Sequence, residues 1–319
     1  MNDATRRLVL RLKGPLNPGA DPLPDPEDRA RSLRKATESV LSLPTLPLVA
    51  SRMLQMVDDP NLSSAALGKA LSEDQVLTAR ILKLANSSYY GFPRKIATVN
   101  LAVVVLGFEA VKDLILSVAV MDLFRNGRRD SRFDLAQFWD HSVRVAAASR
   151  QLARILRWRA VGEAFTAGIL HDIGKVVLHQ YQPGPFEEAL RRMTEDGVPH
   201  LEAELDVLGA THAEVGAWLV EKWNLPTTLV QAVRYHHTPG EADPDHAAHA
   251  ALLHLADVFS HRLGHGNGAR TGSRPEVDPD ALRILVSEGL IVGAEDLDDL
   301  ERAIMEEVDK VEGLRAAFQ

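Results

Sequence analysis

Residues 109–120, Glu-Ala-Val-Lys-Asp-Leu-Ile-Leu-Ser-Val-Ala-Val, decide how the rest of the chain is read. Val111, Leu114, Ile115, Val118 and Ala119 fall at i, i+3, i+4, i+7 and i+8, which is one apolar face of an α-helix. The pattern recurs on both sides. Ser63 stands as an N-cap before the periodic run SSAALGKALSED. Leu77, Ile81 and Leu84 form the next face, which ends at the Asn86-Ser87-Ser88 turn signal and the Phe92-Pro93 break. Phe138, His141, Val145, Ala148, Leu152 and Ile155 share another face. Alternating strand-like stretches are scarce, so the expected fold is all-α: a helical N-lobe packed against a helical C-lobe.

Composition narrows the function classes. The chain has 319 residues, 45% hydrophobic and 25% charged, which excludes a collagen-like or wholly disordered protein and leaves room for two modest lobes. There is no cysteine, hence no disulfide, no thiolate-held metal and no thiol nucleophile. No apolar run approaches the roughly 20 residues that cross a bilayer, and Arg11 interrupts the N-terminal apolar stretch. The expected location is cytoplasmic, with no membrane partner. Net charge is −8, and the segment from Glu276 onward carries 13 acidic against 4 basic residues. With no basic stripe, direct DNA binding is not expected.

Composition divides the chain into four segments. Residues 1–34 are a Pro-rich leader (Pro15, Pro18, Pro22, Pro24, Pro26) with the character of a linker. Residues 35–128 form the N-lobe, closing at a polar shift around Arg125–Asp130. Residues 129–265 form the second lobe, and 266–319 a loop followed by acidic helices.

All twelve histidines lie between His141 and His265. His141 sits on an apolar stripe. His171 and Asp172 are adjacent, and Lys175 follows one turn on. Side chains of neighbouring helical residues project about 100° apart, so both reach one ion only across the edge between them, and the second carboxylate oxygen can bridge to another ion. Thr211-His212-Ala213-Glu214 reads as a capping box that puts His212 in a first helical turn. His236 and His237 end another helix, and Asp257 lies on a strongly apolar one, where a buried carboxylate needs a partner. Each alone is also an ordinary core or helix-end residue. Together His141, His171, Asp172, His212, His236, His237 and Asp257 are N and O donors suited to iron, manganese or similar first-row ions.

The order of these motifs resembles the H…HD…D ligand set of HD-domain metal-dependent phosphohydrolases. His212 and His236-His237 resemble the additional ligands of the two-metal HD-GYP branch, which cleaves cyclic di-GMP, and Lys175 matches its phosphate-contacting lysine. That resemblance implies Asp172 and Lys175 as catalytic residues. Two departures point away from catalysis: TPGEADPDH follows His237 in place of the GYP segment, and Gln137 stands where some members carry a metal-binding glutamate. The N-lobe run LPTLPLVASRMLQMVDDPNLSSAALGKALSEDQVLTARILKLANSSYYGF resembles the start of an HDOD domain. So do AVVVLGFEAVKDLILS, FWDHSVRVAAASRQLA and HAEVGAWLVEKWNLP. The likeness extends from about Leu43 onward, with Asp74-Gln75 in place of the family's Asp-Pro. It implies a bacterial signal-transduction or regulatory module acting through a protein partner or a nucleotide, with one or two divalent first-row ions. The alternative it implies is a metal-dependent phosphodiesterase acting on a cyclic dinucleotide or other nucleotide.

Overall fold

The computed structural model describes residues 45–57, 61–124, 131–158, 161–262, 275–290 and 296–311. The leader, the polar shift at 125–130 and the 266–274 loop lie outside them. The described residues are helical, with no strand among them, and form an all-α protein.

Among the described residues five helices make the N-lobe: α1 (Leu48–Val57), α2 (Ser64–Leu71), α3 (Gln75–Ala85), α4 (Val99–Leu106) and α5 (Phe108–Leu123). Each start from α2 to α4 is fixed by a side chain that accepts an otherwise orphaned backbone N–H: Ser63 from Ala66, Asp74 from Leu77, Thr98 from Leu101. Such caps contribute about 1 kcal/mol each. Met53, Leu67, Leu71, Ile81, Leu84, Val111, Leu114 and Ile115 are fully buried where these helices meet. The expected break after Ala85 is built by Asn86, whose amide bonds Leu82 O and Ile96 O and whose carbonyl accepts from Ile96 N–H.

The second lobe runs through α6 (Leu135–Ile155), α7 (Val161–Leu170), α8 (Ile173–Tyr181), α9 (Pro183–Glu195), α10 (His200–Leu208), α11 (His212–Lys222), α12 (Thr227–Tyr235) and α13 (Ala247–Arg262). α14 (Pro279–Ser287) and α15 (Leu297–Lys310) pack back onto it, α14 against α13 and α15 against α6. α6 is the spine. Its face from Phe138 to Leu152 is buried as the periodicity predicts, but Ile155 is 40% exposed although Leu152 and Ala153 in the same turn are fully buried. α7 crosses α6 so closely that a Cβ on Gly168 would lie 2.3 Å from Ala146 Cα, so only glycine fits there.

The lobes meet over α6 and α7. Arg150, 4% exposed, places its guanidinium 4.0 Å from the Phe165 ring centre and 5.2 and 5.6 Å from those of Tyr89 and Tyr90. Such stacking on a desolvated cation contributes about 2 kcal/mol. Beside it, buried Asp113 of α5 accepts a 2.6 Å bond from Thr166 Oγ1 of α7. Burial raises the Asp113 carboxyl to about 7, against the opposing pull of Arg150. The folded state therefore holds this proton more tightly than the unfolded chain does. Stability should fall as pH rises from about 4 to about 7. Asp113→Asn should flatten that slope, raising the melting temperature more at pH 8 than at pH 5. An equal shift at both pH values would argue against the assignment.

Candidate metal centre

The chain fold brings all seven sequence-selected donors to one buried place. α6 delivers His141 (1% exposed), and the end of α7 turns at His171 (0%) and Asp172 (1%) before α8 begins. His212 (0%) opens α11, whose capping box forms as expected: Thr211 Oγ1 accepts from Glu214 N–H, and the Glu214 carboxylate accepts from Thr211 N–H. His236 (0%) and His237 follow α12, and α13 contributes Asp257 (6%).

The two oxygens of Asp172 face different histidines. Oδ2 lies 3.3 Å from His171 Nε2 and 3.9 Å from His141 Nε2. Oδ1 lies 3.0 Å from His212 Nε2 and 3.7 Å from His236 Nε2. On the first side, Asp257 Oδ1 is 3.0 Å from His141 Nε2 and 3.6 Å from His171 Nε2. On the second, His237 Nε2 is 3.0 Å from His212 Nε2. Donor atoms of Asp172, His212, His236 and His237 lie within 4.8 Å of one another, and so do those of His141, His171 and Asp172.

The donor chemistry fits divalent ions. His171 Nδ1 donates to Gly168 O at 2.8 Å and His236 Nδ1 to Val233 O at 2.7 Å, which leaves each Nε2 as a lone-pair donor. Both Nε2 atoms are buried and make no hydrogen bond of good geometry. Burial pushes His141 and His236 down to about 4 and lowers His237 too, so these rings are neutral at pH 7. Burial disfavours a charge on Asp172, yet His171 and Lys175 hold its carboxyl well below the usual range. The same balance, set by His261 and His141, keeps Asp257 ionised. For His141, His236 and His237 beside Asp172 and Asp257 these are the protonation states that metal ligation requires, whereas at His212 burial is outweighed by Glu204 and Asp172, which raise its pKa.

Lys175 is buried, with Nζ 2.6 Å from Asp172 Oδ2. The structure thus sets its Nζ on the Asp172 carboxylate.

Three neighbours were missed at the sequence level. His261, one turn after Asp257 on α13, puts Nδ1 3.0 Å from Asp257 Oδ1 and its ring 4.5 Å from that of His141. Burial opposes its charge, but Asp257 prevails and raises it to about 9. The i, i+4 spacing was the available signal. Glu204 and His200 lie behind His212 on α10. Their place depends on the reversal at Gly209 (φ 74°), a glycine that marks the helix stop in the sequence without saying which side chains the return brings together.

Residues 43–239 match the HDOD domain family. An uncharacterized protein of Treponema pallidum is 23% identical over 217 residues, 68% of this chain and 42% of that protein. Ribonuclease Y of a Sulfurovum species is 31% identical over 140 residues, 43% of this chain and 19% of that enzyme. The chain therefore spans under half the length of the first relative and about a fifth of the second. Among solved structures, an HDOD domain protein of unknown function from Geobacter sulfurreducens superposes with a TM-score of 0.72 at 27% identity, covering 91% of this chain and 98% of that one. A provisionally assigned phosphohydrolase from Shewanella amazonensis gives 0.71 at 27%, covering 89% and 98%. None of the described helices is long and apolar enough to cross a membrane.

Proposed function

This chain belongs to the HDOD domain family, and from that membership we propose that it is a signal-transduction module whose second lobe holds two divalent first-row ions. The observation that carries the proposal is the division of Asp172: one oxygen faces His141 and His171, the other His212 and His236. His141, His171 and Asp257 would hold one ion and His212, His236 and His237 the other, with Asp172 shared.

Regulation through a protein partner or a nucleotide, rather than turnover, is supported by the segment after His237. Within residues 238–246 the 3₁₀ turn Pro239–Glu241 packs against α13 and α14, while 243–245 are exposed. The 3₁₀ turn Pro239–Glu241 brings Gly240 so near Asp280 that a Cβ there would lie 2.3 Å from Asp280 Oδ2. Gln231 Nε2 donates to Asp243 Oδ2 at 2.9 Å. His254 bridges the two regions, with Nδ1 donating to His236 O at 2.7 Å and Nε2 accepting from Asp278 N–H at 2.9 Å. This stretch reads TPGEADPDH in place of the GYP segment that the HD-GYP branch carries after its histidine pair.

The second reading, a phosphodiesterase acting on a cyclic dinucleotide or another nucleotide, is favoured by the same shared carboxylate and by the likeness to a ribonuclease. The chemistry that two such ions supply when bound is Lewis acidity toward phosphoryl oxygens and a lowered pKa for water. Within the chain, Asp172 and Asp257 balance the positive charge. Lys175 would swing from Asp172 Oδ2 toward the phosphate.

Elemental analysis of untagged protein, purified anaerobically without chelator, tests the centre. Close to two first-row ions per chain is the expected result. No metal, even after reconstitution with iron and manganese, would overturn it.

A further inference from the structure

We propose that Glu204 is the positioning residue of the second ion site, holding His212 from behind so that its Nε2 points at the shared carboxylate. This rests on the two-ion reading above. Glu204 is fully buried on α10, where an ionised carboxylate persists only if N–H groups surround it. Its Oε2 accepts from both the backbone N–H and the Nδ1–H of His212, each at 2.8 Å. Its Oε1 lies 2.9 Å from His200 Nε2, and the His200 ring stacks on that of His212 at 5.1 Å and 19°. The imidazole of His212 is thereby fixed in rotation and in tautomer.

The arrangement is asymmetric across the centre. His171 and His236 rest their Nδ1–H groups on neutral backbone carbonyls, whereas His212 rests on an anion. A carboxylate behind an imidazole raises the basicity of the far nitrogen and orients the ring. Loss of such a partner typically weakens metal binding 10- to 100-fold. Glu204 also occupies the N–H of His212 at the start of α11, so a purely structural capping role is the competing account. Only the metal-binding readout separates the two.

The experiment is a Mn²⁺ titration of the metal-free full chain, followed by calorimetry and by EPR of the free ion. Wild type is expected to bind two ions. Glu204→Gln should keep one binding event unchanged and weaken the other about 10- to 100-fold. His212→Ala should lose the same event, and the double variant should be no worse than His212→Ala, because Glu204 acts through His212. Two events of wild-type affinity in Glu204→Gln, or additive losses in the double variant, would overturn the proposal while leaving the two-ion centre intact. If wild type binds no ion, the two-ion reading itself fails. Should Glu204→Gln not fold, Glu204→Asp keeps the charge on a shorter arm; it should weaken the same event to a smaller degree, and wild-type affinity in that variant would equally overturn the assignment.

Discussion

Asp172→Ala should abolish binding of both ions, whereas His236→Ala should remove only one. The difference comes from geometry. Each oxygen of Asp172 faces a separate pair of imidazoles, so the substitution deletes one anionic donor from both positions at once. Losing a direct charged ligand should cost more than the roughly 10- to 100-fold of an outer-shell change. The metal-free protein should suffer too. Lys175 Nζ sits 2.6 Å from Asp172 Oδ2, with side chains only 5% and 2% exposed, and truncating the carboxylate strands a buried ammonium. Breaking such a pair costs about 3–5 kcal/mol, or about 10 °C in melting temperature for a chain of this size. Elemental analysis and thermal melts of the two variants check both parts. If Asp172→Ala retained one ion at full occupancy, the carboxylate would not be shared. Any phosphodiester turnover by wild type should vanish in that variant as well, and normal turnover would remove Asp172 from the mechanism.

The helices were legible because their apolar spacing is local information, and so were the caps at Ser63 and Thr211. The boundary of a buried face was less so: Ile155 keeps the period of α6, yet it is exposed while Leu152 and Ala153 beside it are fully buried, because the period does not say which neighbours cover each position. The seven donors of the candidate centre were nameable one by one from their positions on apolar helices and from the resemblance to HD-type sequences. Their convergence was not, since it depends on how α6, α8, α11, α12 and α13 cross. Glu204 marks the limit. It lies eight residues before His212 on a different helix, and only the left-handed turn at Gly209 brings its carboxylate back to the imidazole. His261 was readable by its spacing from Asp257, but at a helix end beside Arg262 it resembles a dipole-compensating histidine.

Gly174→Ala should be among the most damaging single substitutions in the chain, although it adds one methyl group. Gly174 occupies the second position of α8, two residues after Asp172. A Cβ there would lie 1.9 Å from His212 O and 2.8 Å from both His212 C and Gly216 N. These are backbone atoms of α11, so no side-chain rotation relieves the overlap, and the helices must separate. Ordinary overpacking costs about 1–3 kcal/mol where side chains can yield; here the cost should reach about 4 kcal/mol or more. The functional consequence is specific. Asp172 immediately precedes α8 and His212 opens α11, so spreading the two helices lengthens the 3.0 Å approach of His212 Nε2 to Asp172 Oδ1. Whatever folded protein remains should bind the second ion more weakly than the first. Gly184→Ala is the matched control: it is exposed in the first turn of α9 and a Cβ there meets nothing within 4 Å beyond its chain neighbours, so its cost is confined to the helical backbone that Pro185 disfavours at a residue bearing a Cβ, and the loss should stay well below that of Gly174→Ala. Melting curves and Mn²⁺ titrations of the two glycine variants decide the matter. A Gly174→Ala protein as stable as wild type with two tight ions would mean that α8 and α11 do not cross backbone to backbone, and that the glycine after Asp172 is there for another reason.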